Sequence, residues 1–383
     1  MTASPTWELD DDHEAFRASV RAFVDRQVRP VVDESERAGR PPAALLKEMG
    51  SAGLLGLAVP EEDGGGGGDA LAMTVLAEEL ARASGGIAVT ALVSGYMALP
   101  HIARFGTAEQ RSRYLPGLIS GEKIAAIAVT EPGAGSDVAG ITTRAVPDGG
   151  EFRLDGTKMF ITNAGIADVL VIAARTGPDG HRGITTFIVD ADNPGLSLGQ
   201  PLRKMGWHSS DTREVILNGC QVPGTAVLGE LNRGFHQIMA AFQLERILLA
   251  AMGLGHAAEC LQAAIGYARD REVFGSPLLS FQAARHRLAA LWVELEAAQL
   301  LTYRAAARLD SDHPDTGIAV AMAKYHAAIA ANRIVDECVQ IFGGSGFLEE
   351  TPVARHFRDA RVLRIGGGTD EIQLEVLAKG LRG

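Results

Sequence analysis

The sequence predicts an α+β chain of three parts: a helical domain over residues 1–122, a β-barrel or sandwich over 123–230 and a four-helix bundle over 231–383. Two changes of period carry this reading. Apolar residues recur every three or four positions in the outer parts, and between Lys123 and Glu230 the period falls to two. Size agrees, since 383 residues that are 46% hydrophobic and 22% charged bury a large core and exceed one small domain.

In the first part, residues 14–32 place Phe16, Val20, Phe23, Val24 and Val28 on one apolar stripe with Arg and Asp opposite, the pattern of a surface helix. Pro41 and Pro42 open the next helix, LLKEMGSAGLL, where a first turn tolerates proline. The run VPEEDGGGGGD (59–69) holds too many glycines for a regular element and reads as a loop, with Asp69 free to cap the helix Ala70–Ala83. A largely apolar helix from Ile87 to Phe105 should be buried on most sides.

In the second part, IAAIAVT, ITTRAV, EFRLDG, TKMFITN, DVLVIAAR, GITTFIVD and TREVILNGCQV are short, rich in Val, Ile, Thr and Phe, and divided by turn signals PDGG, DG, GPDG and DNPG. In the third, helices are expected near 231–270, 278–310, 315–342 and 370–381. No internal repeat is evident.

Composition narrows the function. A net charge of −11 argues against a general nucleic-acid binder, because phosphate contacts need clustered Lys and Arg. No apolar run reads as long enough to span a bilayer, and the start MTASPTWELDDDHE is acidic where a secretory signal is basic and then apolar, so a soluble cytoplasmic protein is expected. Cys220, Cys260 and Cys338 show neither metal-ligand spacing nor a disulfide framework, and no metal is expected.

Three stretches carry the chemistry. RIGGGTDEIQ (364–373) sets three glycines before a helix start, a turn through which backbone N–H groups can face a ligand. AVTEPGAGSDV (128–138) and QLERILLAAMGLG (243–255) accompany it. Together with VPEEDGG, DGTKMFITN, KMGWHSSDTRE, REVFG and its following SFQAA, QIFGGSGF and RHFRDAR, these strings resemble the acyl-CoA dehydrogenase family nearly end to end.

That resemblance implies FAD as cofactor and removal of two electrons from the α and β carbons of an acyl thioester. It assigns Ala128, Val129, Thr130, Gly135, Ser136, Phe160, Ile161 and Thr162 to the flavin, with Thr130 and Thr162 as donors and Phe160 as the ring beside it. Arg271, Phe274 and Gln282 match positions reaching the FAD of a neighbouring subunit, and Gln340, Gly343, Gly344, Thr369 and Glu371 match the cradle of its ADP half. Ser136, Gln243, Arg246, Gly367 and Gly368 correspond to substrate-binding positions. The expected assembly is a homotetramer, oxidised by an electron-transfer flavoprotein.

One departure directs the catalytic assignment. Many members carry an aromatic residue and a basic glutamate where this chain has Gly366 and Gly367. Gly367 cannot take a proton, although its N–H can donate to the thioester carbonyl. The long-chain and isovaleryl branches place the glutamate on a bundle helix just before an arginine, which here is Glu245-Arg246. A glutamate in an apolar helix is seldom there without a partner or a task. An ion pair with Arg246 is the plain alternative, but adjacent helical residues do not face each other. Desolvation should raise the pKa of Glu245 and suit it to act as the base.

The glycine pair should also leave room beside the reacting carbons for branched acyl groups. His208 and His256 are expected in a loop or on a helix surface, and Asp359 in a fixed pair with an arginine of the Arg355, His356, Arg358, Arg361 ladder. Two other functions stay open: a dehydrogenase for carrier-protein-bound acyl groups, and an oxygen-using flavoprotein (acyl-CoA oxidase or monooxygenase) or inactive member of the same fold.

Overall fold

The computed structural model describes residues 9–178 and 180–381; residues 1–8, the beginning of the MTASPTWELDDDHE stretch, and Asp179 of the GPDG turn lie outside the described residues. Helix α1 (Asp11–Phe23) begins at Asp10, whose carboxylate accepts the His13 N–H at 2.9 Å. The chain continues through a wide π turn, Val24–Val28, and a tight turn, Arg29–Val31, into α2 (Val32–Ala38). Val20, Val24, Val28 and Val32 are all buried. Steps of four residues overrun an α-helical turn by about 40° each, and the wide turn takes up the excess, so all four meet one core.

Pro42 is the N-cap of α3 (Ala43–Ser51) and lies before its first turn; Leu54 and Leu55 follow the helix and are still buried. The glycine run is ordered: the N–H groups of Gly65, Gly66, Gly67 and Gly68 bond the carbonyls of Pro60, Gly56, Val59 and Leu57. Asp69 caps α4 (Ala70–Ala83), accepting the Ala72 N–H at 2.8 Å. Helices α5 (Gly85–Leu92) and α6 (Leu99–Phe105) form one continuous path through a second wide turn, Val93–Ala98. Helix α7 (Ala108–Ile119) was not foreseen, although Thr107 and Gln110 form a reciprocal capping box that TAEQ spells out.

Against the expectation from sequence, two helical stretches reach the length and hydropathy of a membrane span, Gly85–Phe105 and Gly234–Asp270. The first has 94% of its apolar window buried inside the fold, which makes it a core element here.

The β part is an eight-stranded sheet of β1 (Ala125–Ala128), β2 (Arg144–Asp148), β3 (Glu151–Thr162), β4 (Val169–Arg175), β5 (Ile184–Asp190), β6 (Leu196–Leu198), β7 (Thr212–Pro223) and β8 (Val227–Leu228). Its order is β6-β7-β3-β2-β4-β5-β8, with β1 also on β4. EFRLDG and TKMFITN are one strand, not two. Asp155-Gly156 is a bulge in β3 against β7 and not a turn. Strand β4 is buried on both faces: Leu170, Ile172 and Ala174 join the β core, and Val169 and Val171 pack against Leu99, Ile102 and Leu118 of the helical part.

Beyond it run α8 (Gly234–Asp270), a hairpin of β9 (Glu272–Val273) and β10 (Ser276–Pro277), α9 (Gln282–Asp310), α10 (Thr316–Phe342), the unforeseen α11 (Pro352–Ala360) and α12 (Asp370–Gly380). The helical parts are not independent. Val20, Leu76 and Leu92 of the first share one continuous core with Leu248, Leu261 and Ile334 of the last.

Candidate active site

The glycine turn before α12 is held from three helices. Gly367 and Gly368 both have positive φ, +65° and +95°, which a residue with a side chain adopts only with strain. The Gly367 carbonyl accepts Arg246 Nε of α8 at 3.0 Å and Gln373 Nε2 of α12 at 3.3 Å. The Gly368 carbonyl accepts Gln373 Nε2 at 3.1 Å and Lys324 Nζ of α10 at 2.5 Å. Arg364 fixes the start of α12 through Asp370 Oδ2 at 2.7 Å, and the Thr369 hydroxyl caps it by accepting the Ile372 N–H. The N–H groups of Gly367, Gly368 and Thr369 have no partner among the described residues, which leaves donors for a carbonyl oxygen.

Glu245 lies against this turn. A Cβ placed on Gly367 would stand 3.8 Å from Glu245 Oε1, 3.7 Å from Arg246 Cγ and 2.6 Å from Leu249 Cδ1. The carboxylate therefore reaches the space that a side chain at 367 would enter. At Gly367 the room expected there is met by Leu249 Cδ1, whereas a Cβ on Gly366 would meet nothing nearer than 3.7 Å. Glu245 and Arg246 form no ion pair among the described residues; Arg246 points to the turn and sits 5.9 Å from the Phe242 ring centroid. Desolvation pushes the Glu245 carboxyl up to about 7, against the opposing pull of Arg246 and Lys324. The Gln243 Oε1 is buried without a partner among the described residues.

The loop after β1 is clipped by a buried pair that sequence reading missed. Lys158 Nζ donates to Glu131 Oε1 at 2.8 Å and to the Val129 carbonyl at 3.0 Å. Glu131 also accepts from Thr142 N, Thr142 Oγ1 and Thr143 N at 2.7–2.9 Å. Despite desolvation, the Lys158 charge and these donors hold Glu131 down at about 2. Between the clip's ends, Gly135 and Ser136 are exposed, and a Cβ on Gly135 would meet only open space. Met159 N–H bonds the Thr130 carbonyl at 2.8 Å, tying β3 to the loop. A second bulge in β3, between Lys158 and Ile161, sets Phe160 at φ +60° and turns its ring out, 65% exposed. Thr162 is half-buried beside it, while Ala128, Val129 and Ile161 bury their side chains and offer only backbone. Val129 and Ala134 pack with Ile238 and Phe242 of α8, so this loop and Glu245 share one end of that helix.

The remaining expected cofactor contacts lie elsewhere in the chain. Arg271, the C-cap of α8, follows Glu245 by 26 positions, roughly 39 Å at 1.5 Å per residue. Phe274 at the tip of the hairpin is 98% exposed with φ +49°, and Arg271 and Gln282 are exposed. The end of α10 joins this far end, where Phe342 stacks on Tyr267 at 4.4 Å. There Gln340, Gly343 and Gly344 are exposed, and both glycines have open space around them. Thr369 and Glu371 belong to the Glu245 end. The expected cofactor residues thus form two sets at opposite ends of one helix. An exposed ring, open glycines and unpaired N–H groups suit a planar ring at one end and a phosphate at the other.

Two further expectations are corrected. His256 is neither in a loop nor on a surface: it is fully buried, with Nδ1 2.8 Å from His356 Nδ1, and burial holds its pKa down at about 3. Asp359 is fixed by the Trp207 N–H at 2.6 Å and forms no ion pair with an arginine among the described residues. Lys324 and Gln373 were overlooked as supports of the turn. The signal for Lys324 was the one used for Glu245, a lone charge in an apolar helix (AMAKYHAAIAA). His208 is in a loop as expected, its Nε2 at 3.0 Å from the Lys204 carbonyl. Among the described residues no cluster of His, Cys, Asp or Glu could hold a metal.

Three family models cover most of the chain: acyl-CoA dehydrogenase, N-terminal domain, over residues 10–122, middle domain over 126–220 and C-terminal domain over 232–382. The chain is 39% identical over 374 residues to a 3-(aryl)acrylate reductase of Clostridium sporogenes, covering 97% of this chain and 98% of that protein. It is 40% identical over 372 residues to the mitochondrial short-chain specific acyl-CoA dehydrogenase of Bos taurus, covering 97% and 90%. A glutaryl-CoA dehydrogenase from Mycobacterium smegmatis, solved in complex with FADH2, superposes with a TM-score of 0.92 at 32% identity, covering 97% of this chain and 95% of that one. With the same three-part architecture, the chain belongs to the acyl-CoA dehydrogenase family of oxidoreductases.

Proposed function

We propose that this protein is an FAD-dependent acyl-CoA dehydrogenase in which Glu245 removes the α-proton of the thioester. The observation that carries the assignment is the Glu245 carboxylate beside Gly367, desolvated to a pKa of about 7 and without an ion-pair partner among the described residues. A base of that pKa is half-ionised at neutral pH, which suits proton transfer from carbon. The unpartnered N–H of Gly367 donates to the thioester carbonyl and lowers the cost of the enolate formed as the proton leaves. When bound, FAD would supply the acceptor for the β-hydride. Thr130, Ser136, Phe160 and Thr162 hold and cover its ring, Gln243 and Arg246 border the thioester, and Arg246 fixes the turn through its bond to Gly367.

Arg271, Phe274, Gln282, Gln340, Gly343 and Gly344 then serve the ADP half of a neighbouring subunit's FAD. The roughly 39 Å along α8 from Glu245 to Arg271 supports this, since residues near one are out of reach of a flavin at the other. Exposed Trp292, Val293 and Leu300 on α9 supply apolar surface for the expected homotetramer. The domains divide at 1–122, 123–230 and 231–383, and an electron-transfer flavoprotein is the oxidant. A second reading is the reverse reaction, favoured by the likeness to the Clostridium sporogenes reductase. A carboxyl of pKa about 7 can return a proton as readily as remove one.

The test is anaerobic reduction of bound FAD by acyl-CoA in wild type and Glu245→Gln. The variant keeps its flavin spectrum and slows by at least ~10²-fold. An undiminished rate would overturn the assignment of the base.

A further inference from the structure

Lys324 is buried to 0% exposure on α10 and forms no ion pair with a carboxylate among the described residues. A buried ammonium is costly unless its protons are bonded or its charge is used. Its Nζ donates to the Gly368 carbonyl at 2.5 Å. The charged groups facing it are Glu245 and Arg246 on α8, Arg364 before the turn and Asp370 on α12, whose Oδ2 is already bonded to Arg364. Lys324 thus touches the glycine turn directly and the base through its field.

We propose that Lys324 is a positioning residue of the acyl site: it clamps the glycine turn from behind and presents its charge to Glu245. The proposal rests on the reading of Glu245 as the base. A trans peptide is planar, with its C=O and the following N–H pointing opposite ways. Holding the Gly367 and Gly368 carbonyls inward on Arg246, Gln373 and Lys324 therefore turns the Gly368 and Thr369 N–H groups away from the bundle. The Gly367 N–H enters the same constrained turn. Desolvation raises the Glu245 carboxyl, and the Lys324 charge is one of two that oppose it, the other being Arg246. Arg246 is committed to the Gly367 carbonyl, so Lys324 is the nearby cation that can be exchanged without removing that contact.

The experiment uses the FAD-loaded enzyme and compares wild type, Lys324→Met and Lys324→Arg by the pH dependence of kcat/KM for one saturated acyl-CoA, with thermal unfolding measured alongside. Loss of the cation moves the acidic limb of Lys324→Met upward by about one pH unit, which lowers the rate at pH 7 about fivefold. Lys324→Arg keeps the limb in place. Removing a buried charge leaves the unfolding temperature level or higher, so a lost rate is not lost fold. If Lys324→Met does not fold, Lys324→Gln is read in its place. An unmoved limb in the neutral variant, or the same shift in Lys324→Arg, overturns the proposal. Failure of the Glu245 reading shows separately, as a wild-type rate in Glu245→Gln.

Discussion

At the level of single residues the site depends on how desolvation is distributed. Glu245 has a folded pKa of about 7 against a free value of 4.5. Its burden on stability is therefore absent at low pH, grows as pH rises between those values and is full above about 7. Glu245→Gln should raise the unfolding temperature at pH 8 and leave it nearly unchanged at pH 4, while in wild type kcat/KM rises with pH through the same interval. A melting difference independent of pH would remove the desolvation argument. Leu249 is the second residue of consequence. Its Cδ1 occupies the space a side chain at 367 would fill, so Leu249→Ala should raise kcat/KM for β-branched over straight acyl-CoA by about tenfold. An unchanged ratio would show that the branch is housed elsewhere. The glutamate was legible because a charge in MAAFQLERILLAAMGLG breaks an apolar helix. The room expected from the glycine pair is there at Gly366, but at Gly367 it is taken by an atom from the next turn of another helix, which no local pattern reports.

Among the secondary-structure elements, the loop after β1 depends on one buried ion pair. Replacing Glu131 by Ala leaves the Lys158 amine buried and without its carboxylate, and should cost about 3–5 kcal/mol by denaturant unfolding. The same variant should loosen the loop bearing Ser136 and weaken FAD retention. Loss of stability with unchanged FAD affinity would separate the clip from the cofactor site. Strands were legible where alternation was strong. Asp155-Gly156 was misread because a DG pair marks a turn in most contexts, and here cross-strand pairing of β3 with β7 overrides it. Helix α11 went unseen because PVARHFRDA was read as a charged ladder, although Val353, His356, Asp359 and Ala360 make one buried face. His256 and His356 show the same limit. Their Nδ1 atoms meet across 100 residues of chain, and neither segment alone signals a partner.

For the molecule as a whole, the first and last thirds of the chain form one core, so the two helical parts should unfold together. The order of parts was readable from the change in period, whereas the expected assembly rests on resemblance alone, because contacts between subunits leave no spacing within a chain. The length of α8 has a genetic consequence. If one end serves a subunit's own flavin and the other end serves a neighbour's, then damage at the two ends belongs to different sites. Glu245→Gln and Arg271→Ala subunits, each inactive as a pure assembly, should therefore complement when co-expressed: a hybrid pairing unites an intact Glu245 from one chain with an intact Arg271 from the other. Assemblies that regain no activity when both variants are copurified would place both ends of the helix in service of a single chain's cofactor.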